Sequence, residues 1–126
     1  MSGLILDSNA LIWWLEDAPR IRRSEAADRI ATDPLVMVSI VTPWELWIKA
    51  ASGRIGLPGR FNDRLPDLGL EIISPTLRDA RLATALPPIH KDPFDRMIVA
   101  QALNRGAVIV TGDRTLGEYG VEVILV

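Results

Sequence analysis

Short, wholly apolar runs alternate along this chain with longer stretches in which apolar residues recur every three or four positions. Leu4-Ile5-Leu6 is the first such run, as expected of a strand buried on both faces of a parallel sheet. Asn9 to Leu15 then reads as a helix with Ala10, Trp13 and Trp14 on or near its inner face. Arg23 to Thr32 reads as a second, carried by Ala26, Ala27 and Ile30. Leu35 to Ser39 is the next strand. After it Thr42 is placed to cap a helix and Pro43 suits its first turn. Trp44, Trp47, Ile48 and Ala51 make an apolar stripe along that helix, and Gly53 ends it.

Gly56 to Gly69 is the loosest section, rich in Pro and Gly, with a short helix expected near Phe61 to Leu65. Leu70 to Ile73 reads as a strand and Leu77 to Leu86 as a helix, before Pro87-Pro88 breaks the chain. Asp92 and Pro93 open a helix to about Asn104 that turns Phe94, Ile98, Val99, Ala102 and Leu103 inward. Ala107 to Val110 and Val121 to Leu125 complete the strands. This alternation predicts an α/β fold of three layers, α/β/α, around a mostly parallel central sheet of four to five strands. No repeat, linker or low-complexity segment divides it, so residues 1–126 are read as a single domain.

Composition narrows the chemistry. A chain of 126 residues can remove roughly two-thirds of its unfolded surface from water. It has no cysteine, which excludes disulfides, thiolate metal sites and a cysteine nucleophile. No apolar run approaches the roughly 18 residues of a membrane span. The segment Met1 to Asp7 has no basic leader, so a cytoplasmic protein without a signal peptide or membrane anchor is expected. The net charge of −2 looks wrong for a nucleic-acid binder, but two divalent ions would add +4 and bring it to +2. Net charge therefore neither supports nor excludes a phosphodiester substrate.

Four carboxylates fall where a strand gives out or a helix starts. Asp7 follows Leu4-Ile5-Leu6, Glu45 follows Pro43-Trp44, Asp95 lies in Asp92-Pro93-Phe94-Asp95-Arg96, and Asp113 follows Val108-Ile109-Val110-Thr111-Gly112. In an open α/β sheet that edge is where ligands bind. Each acid also has a local explanation. Thr42 to Glu45 matches a capping box, Asp92 to Asp95 nearly does, Asp7 can cap the first helix, and Thr111-Gly112-Asp113 can be a plain turn. Capping alone does not require acids, however, because Ser, Thr or Asn would serve without charge repulsion. Here the acids come with such neutral groups, Ser8, Asn9 and Thr111, which can hold a metal-bound water or orient a carboxylate.

Together the acids look like a site for a hard cation, Mg2+ or Mn2+, with phosphodiester hydrolysis by a metal-activated water as the natural reaction. Arg96 is expected either to pair with Asp95 or to contact a substrate phosphate, and His90, in a loop, is expected at the surface, with a general acid as its alternative role. Core packing is expected to take at least two of the four tryptophans, with a groove for a partner or for stacked bases as the other use.

Leu6-Asp7-Ser8-Asn9-Ala10-Leu11-Ile12-Trp13-Trp14, Pro43-Trp44-Glu45-Leu46, His90 to Ala102 and Val110-Thr111-Gly112-Asp113 resemble the successive motifs of PIN-domain ribonucleases, most of all the VapC toxins of toxin–antitoxin pairs. Asp92-Pro93-Phe94-Asp95-Arg96 is the most specific part of the match, which spans almost the whole chain. The resemblance implies a PIN fold and an RNA-cleaving toxin dependent on Mg2+ (or Mn2+). Asp7, Glu45, Asp95 and Asp113 would be its catalytic, metal-binding acids, with Ser8, Asn9, Asp92, Thr111 and Arg96 in support. Ser8 stands where many members have Thr. The resemblance also implies a homodimer and a cognate VapB-type antitoxin whose C-terminal segment blocks the site.

The main alternative is a PIN fold that only binds RNA or protein. A phosphoacceptor receiver domain would need adjacent acids after the first strand and a lysine near the last. Neither is present. A haloacid-dehalogenase-like phosphatase would need an Asp where Asn9 stands.

Overall fold

Five strands line up in the order β3-β2-β1-β4-β5, every neighbouring pair parallel, in the computed structural model, which describes residues 3–126. They are β1 (Leu4–Leu6), β2 (Val36–Ser39), β3 (Glu71–Ile73), β4 (Val108–Thr111) and β5 (Val123–Leu125). The sheet is thus wholly parallel, at the upper end of the four to five strands expected. The helices are α1 (Ser8–Leu15), α2 (Pro19–Arg22), α3 (Glu25–Thr32), α4 (Val41–Ala51), α5 (Phe61–Arg64), α6 (Leu77–Ala85) and α7 (Pro93–Arg105), with short 3₁₀ turns at Leu65–Asp67 and Arg114–Tyr119.

The two-residue period of the strands divides the core. Leu4, Leu6, Val36, Val38, Val108 and Val110 pack with Leu11, Ile21, Ala26 and Leu46 on one face. Ile5, Met37 and Ile109 pack with Ile98, Val99, Ala102 and Leu116 on the other. Those two apolar layers make the three-layer arrangement. β1 is central and buried throughout, which is why its sequence carries no polar position. Chain order reverses between β1 and β4, so the crevice beyond their carboxyl ends is the place where an open sheet receives a ligand. Asp7 and Asp113 emerge there.

Some boundaries differ from expectation. The helix expected over Arg23 to Thr32 begins only at Glu25, after Ser24 donates to the Ile21 carbonyl at 2.7 Å, and a short helix, α2, which the periodicity did not announce, precedes it. α4 starts at Val41, so Thr42 lies inside the helix and not at its cap, and no capping box joins it to Glu45. The buried side of α4 is Val41, Thr42, Pro43, Glu45 and Leu46. Its apolar stripe faces outward, with Trp44 55% exposed and Trp47 and Ile48 exposed beside it. Trp13 and Trp14 are the two tryptophans packed against the core.

Candidate functional site

Asp7 is the first residue beyond β1, and its backbone N–H donates to the Val110 carbonyl at 3.1 Å, so the sheet itself fixes it. Its carboxylate is 5% exposed and does two jobs. Oδ1 caps α1 by accepting from the Ala10 N–H at 2.9 Å, and Oδ2 accepts from the Thr111 hydroxyl. The capping explanation therefore holds for this residue, and the same carboxylate also joins Thr111 at the end of β4. Burial pushes its pKa above the usual carboxylate range. The Thr111 and Ala10 hydrogen bonds oppose that, and the charges of Asp113 and Glu45 add to it.

Glu45 projects from the buried side of α4 and is saturated by its neighbours. Ser8 Oγ donates to Oε1 at 2.6 Å, and Lys49 Nζ pairs with Oε2 at 2.9 Å. Ser8 thus links the first motif to the second. Lys49 was not singled out from the sequence as a site residue, although the Glu45–Lys49 spacing is that of a helical ion pair. Asn9, placed among the supporting residues, is exposed on α1.

Asp95 lies in the first turn of α7, which Asp92 caps by accepting from the Phe94 N–H at 2.8 Å. Asp95 makes no capping-box return. It faces Asp113 across His90, whose Nε2 is 3.3 Å from an oxygen of each carboxylate. Donor atoms of His90, Asp95 and Asp113 all lie within 4.8 Å of one another, near enough to share one cation. Asp7 and Glu45 stand outside that trio, buried, each held by a hydroxyl.

Desolvation, then the charge of Asp92, drives the Asp95 pKa up to about 7; His90 pulls it down, and Glu45 and Asp7 push it further up. Asp113 goes the other way, because Thr115 donates both its hydroxyl (2.6 Å) and its N–H (2.9 Å) to Oδ1. Thr111 Oγ1 connects this acid to Asp7, accepting from the Asp113 N–H at 2.9 Å while donating to Asp7. One hydroxyl thereby sets the relation between two carboxylates that lie far apart in sequence.

Two residues depart from their expected roles. His90 belongs to the site and not to the outer surface; its being the chain's sole histidine, five residues before Asp95, is the signal that could have found it. Arg96 does not pair with Asp95. Its guanidinium donates to the carbonyls of Ala83 (2.9 Å), Leu86 (2.8 Å), Pro87 (2.9 Å) and His90 (3.2 Å), tying down the loop between α6 and α7.

Gly112, between Thr111 and Asp113, has a steric reason. A Cβ there would fall 2.7 Å from Trp13 Cη2, and Arg20 stacks on that indole at 3.9 Å, so the ring cannot easily retreat. Gly112→Ala is expected to cost about 1–3 kcal/mol, measured by urea unfolding. A neutral result would mean that the Trp13–Arg20 stack yields freely.

The donor set fits a hard cation: carboxylate oxygens, partly desolvated, with an Asp95 charge that no lysine or arginine among the described residues neutralises. Comparisons with known proteins agree with the fold. The PIN domain family model matches residues 4–122. Ribonuclease VapC22 of Mycobacterium tuberculosis is 31% identical over 124 residues, covering 94% of this chain and 93% of that protein. Among solved structures, a chain of the DNA-bound VapBC complex from Salmonella typhimurium superposes with a TM-score of 0.72 at 22% identity, covering 98% of both chains. A chain of VapBC2 from Rickettsia felis, bound to a DNA fragment from its promoter, gives 0.71 at 14% identity with the same coverage. With the family model matching residues 4–122 and a VapC ribonuclease 31% identical over nearly the whole length, this chain belongs to the PIN-domain family, in its VapC-type branch.

Proposed function

We propose that this protein is a metal-dependent endoribonuclease, the toxin of a VapBC-type toxin–antitoxin pair acting in the cytoplasm. The observation that carries the reading is the meeting of Asp95 and Asp113 within reach of one cation, with Asp7 coupled to Asp113 through Thr111. Asp7, Asp95, Asp113 and Glu45 would hold Mg2+ or Mn2+. The ion, when bound, supplies an activated water and stabilises charge on the phosphoryl group. Thr111 orients Asp7, Ser8 orients Glu45, and the Lys49 ammonium offsets the charge of Glu45 beside an anionic substrate. The PIN family and the similarity to a named ribonuclease support RNA as the substrate.

The outward stripe of α4 supports an antitoxin at the same edge. Trp44, Trp47 and Ile48 are exposed on the helix that carries Glu45, and Trp44 meets Phe94 of α7 edge-on at 5.2 Å. A VapB-type segment lying over this stripe would cover the approach to the acids. We assign the active toxin as a homodimer, as its relationship to VapC implies.

Cleavage of a total small-RNA pool by antitoxin-free protein, with Mg2+, Mn2+ or EDTA, tests the reading. Discrete metal-dependent fragments with 5′-phosphates are expected; intact RNA with folded protein under both metals would refute it.

Acidity gives a second test. The folded-state pKa of Asp95 lies above its unfolded value, so between about 4 and about 7 the native protein holds the extra proton. Metal-free stability from this group is therefore full below about 4 and is lost as pH rises through about 7. An ion that needs the carboxylate form reverses that loss. The gain in Tm on adding Mg2+ should grow as pH rises through about 7 and fade below it. A pH-independent gain would remove Asp95 from the ligand set.

A further inference from the structure

We infer that His90 is a positioning residue of this site: an imidazole whose Nε2 edge holds the Asp95 and Asp113 carboxylates together without ligating an ion itself. The inference rests on the carboxylate metal site proposed above and adds a residue to it.

The ring's other nitrogen decides between donor and ligand. The Asp92 N–H donates to His90 Nδ1 at 3.2 Å, so Nδ1 presents a lone pair and the ring proton of the neutral form lies on Nε2. Nε2 itself lies 3.3 Å from both Asp95 Oδ2 and Asp113 Oδ2. Ligation through Nε2 would move the proton to Nδ1, where it would confront the Asp92 N–H. Asp92 cannot turn aside cheaply, because its carboxylate caps α7 through the Phe94 N–H.

The backbone of His90 is fixed by the same two elements that carry the acids. Its N–H donates to Tyr119 Oη at 2.7 Å, and Tyr119 closes the 3₁₀ turn that begins just after Asp113. Its carbonyl accepts from Arg96 Nη1 at 3.2 Å, and Arg96 follows Asp95 on α7. The imidazole is therefore placed by α7 and by the segment after β4 at once. It can report the position of one to the other.

Its effect falls on carboxylate rotation. Asp113 Oδ1 is already bound by Thr115, so the His90 contact at Oδ2 completes its orientation. Among the described residues His90 is the one cationic or hydrogen-bonding side chain within reach of the Asp95 carboxylate, so its contact at 3.3 Å is what limits that carboxylate's rotation. Outer partners that orient metal-binding carboxylates typically contribute 10- to 100-fold in metal affinity.

His90 is the chain's only histidine, so imidazole 15N NMR of the wild-type protein reports on it without assignment. At a pH where the NMR signals show a single ring proton, the Nε2–H tautomer is expected alone and with saturating Mg2+. A switch to Nδ1–H on adding Mg2+ would reveal a direct ligand, and rapid exchange of both tautomers would reveal an unheld ring; either overturns the inference. Calorimetry with Mn2+ supplies the second arm. His90→Leu should bind about 10- to 100-fold more weakly, and His90→Gln, whose amide N–H reaches the Nε2 place, should recover most of that. No loss in His90→Leu, or equal loss in both variants, contradicts the role. Wild-type protein that binds no Mn2+ sinks this inference together with the metal site. Protein that binds Mn2+ as described but cuts no RNA defeats only the nuclease reading.

Discussion

Asp95→Asn is expected to lower RNA cleavage about 1,000-fold, equivalent to about 4 kcal/mol of transition-state stabilisation, while leaving the metal-free protein at least as stable as the parent. Both halves follow from one environment. Asp95 is half-buried, close to Asp92, with Glu45 and Asp7 adding repulsion, and only His90 opposes them. An uncharged isostere removes the repulsion, so stability in EDTA at neutral pH should hold or rise. The same change removes a ligand oxygen and the charge a divalent ion needs. Cleavage assays and thermal unfolding, run side by side, separate loss of site from loss of fold. Retention of more than a tenth of wild-type cleavage would take Asp95 out of the metal site.

Arg96→Ala is expected to be the most damaging substitution outside the core, on the order of 3 kcal/mol, with a fall in Tm on the order of 10 °C. The guanidinium gathers carbonyls of Ala83, Leu86, Pro87 and His90, which belong to the end of α6 and the loop that follows. Pro87 and Pro88 have no N–H to donate, so the Ala83 and Thr84 carbonyls lack the donors that a continuing helix would bring them. Arg96→Lys should rescue little, since a point ammonium cannot reach several carbonyls with the geometry of a planar fork. Urea unfolding of both variants is the measurement. A cost below about 1 kcal/mol for Arg96→Ala would show that water replaces these bonds without difficulty. Cleavage by the folded fraction should also fall, because His90 loses one of its two backbone anchors.

Much of this could be read from residue order. Leu4-Ile5-Leu6 and Val108-Ile109-Val110 announce central strands because a strand covered on both faces has no polar side to show. Acids directly after such strands are placed by the sheet, and so Asp7 and Asp113 were legible. Asp92-Pro93 located the start of α7 and with it Asp95.

The failures are also physical. α4 has apolar residues on two sides, Val41, Pro43 and Leu46 against Trp44, Trp47 and Ile48, and periodicity does not say which side meets the sheet. The buried Thr42 hydroxyl, without a partner among the described residues, marks where the capping expectation went astray. His90 and Arg96 act through a loop whose path depends on contacts with Tyr119 and with the end of α6. Nothing local in the sequence encodes those contacts.

The position of β1 has a consequence for the protein's first moments. Leu4, Ile5 and Leu6 are matched to Val108, Ile109 and Val110, and Thr111 reaches Asp7 across 104 positions of chain. On a ribosome adding about 5–20 residues per second, the N-terminal strand waits about 5 to 20 s for the partner that completes its edge. During that interval Asp7 has no Thr111 to orient it and no Asp113 beside it. On the nuclease reading proposed above, the set of carboxylates would stay incomplete until β4 joins the sheet, and a growing chain would lack its site for the whole of that delay.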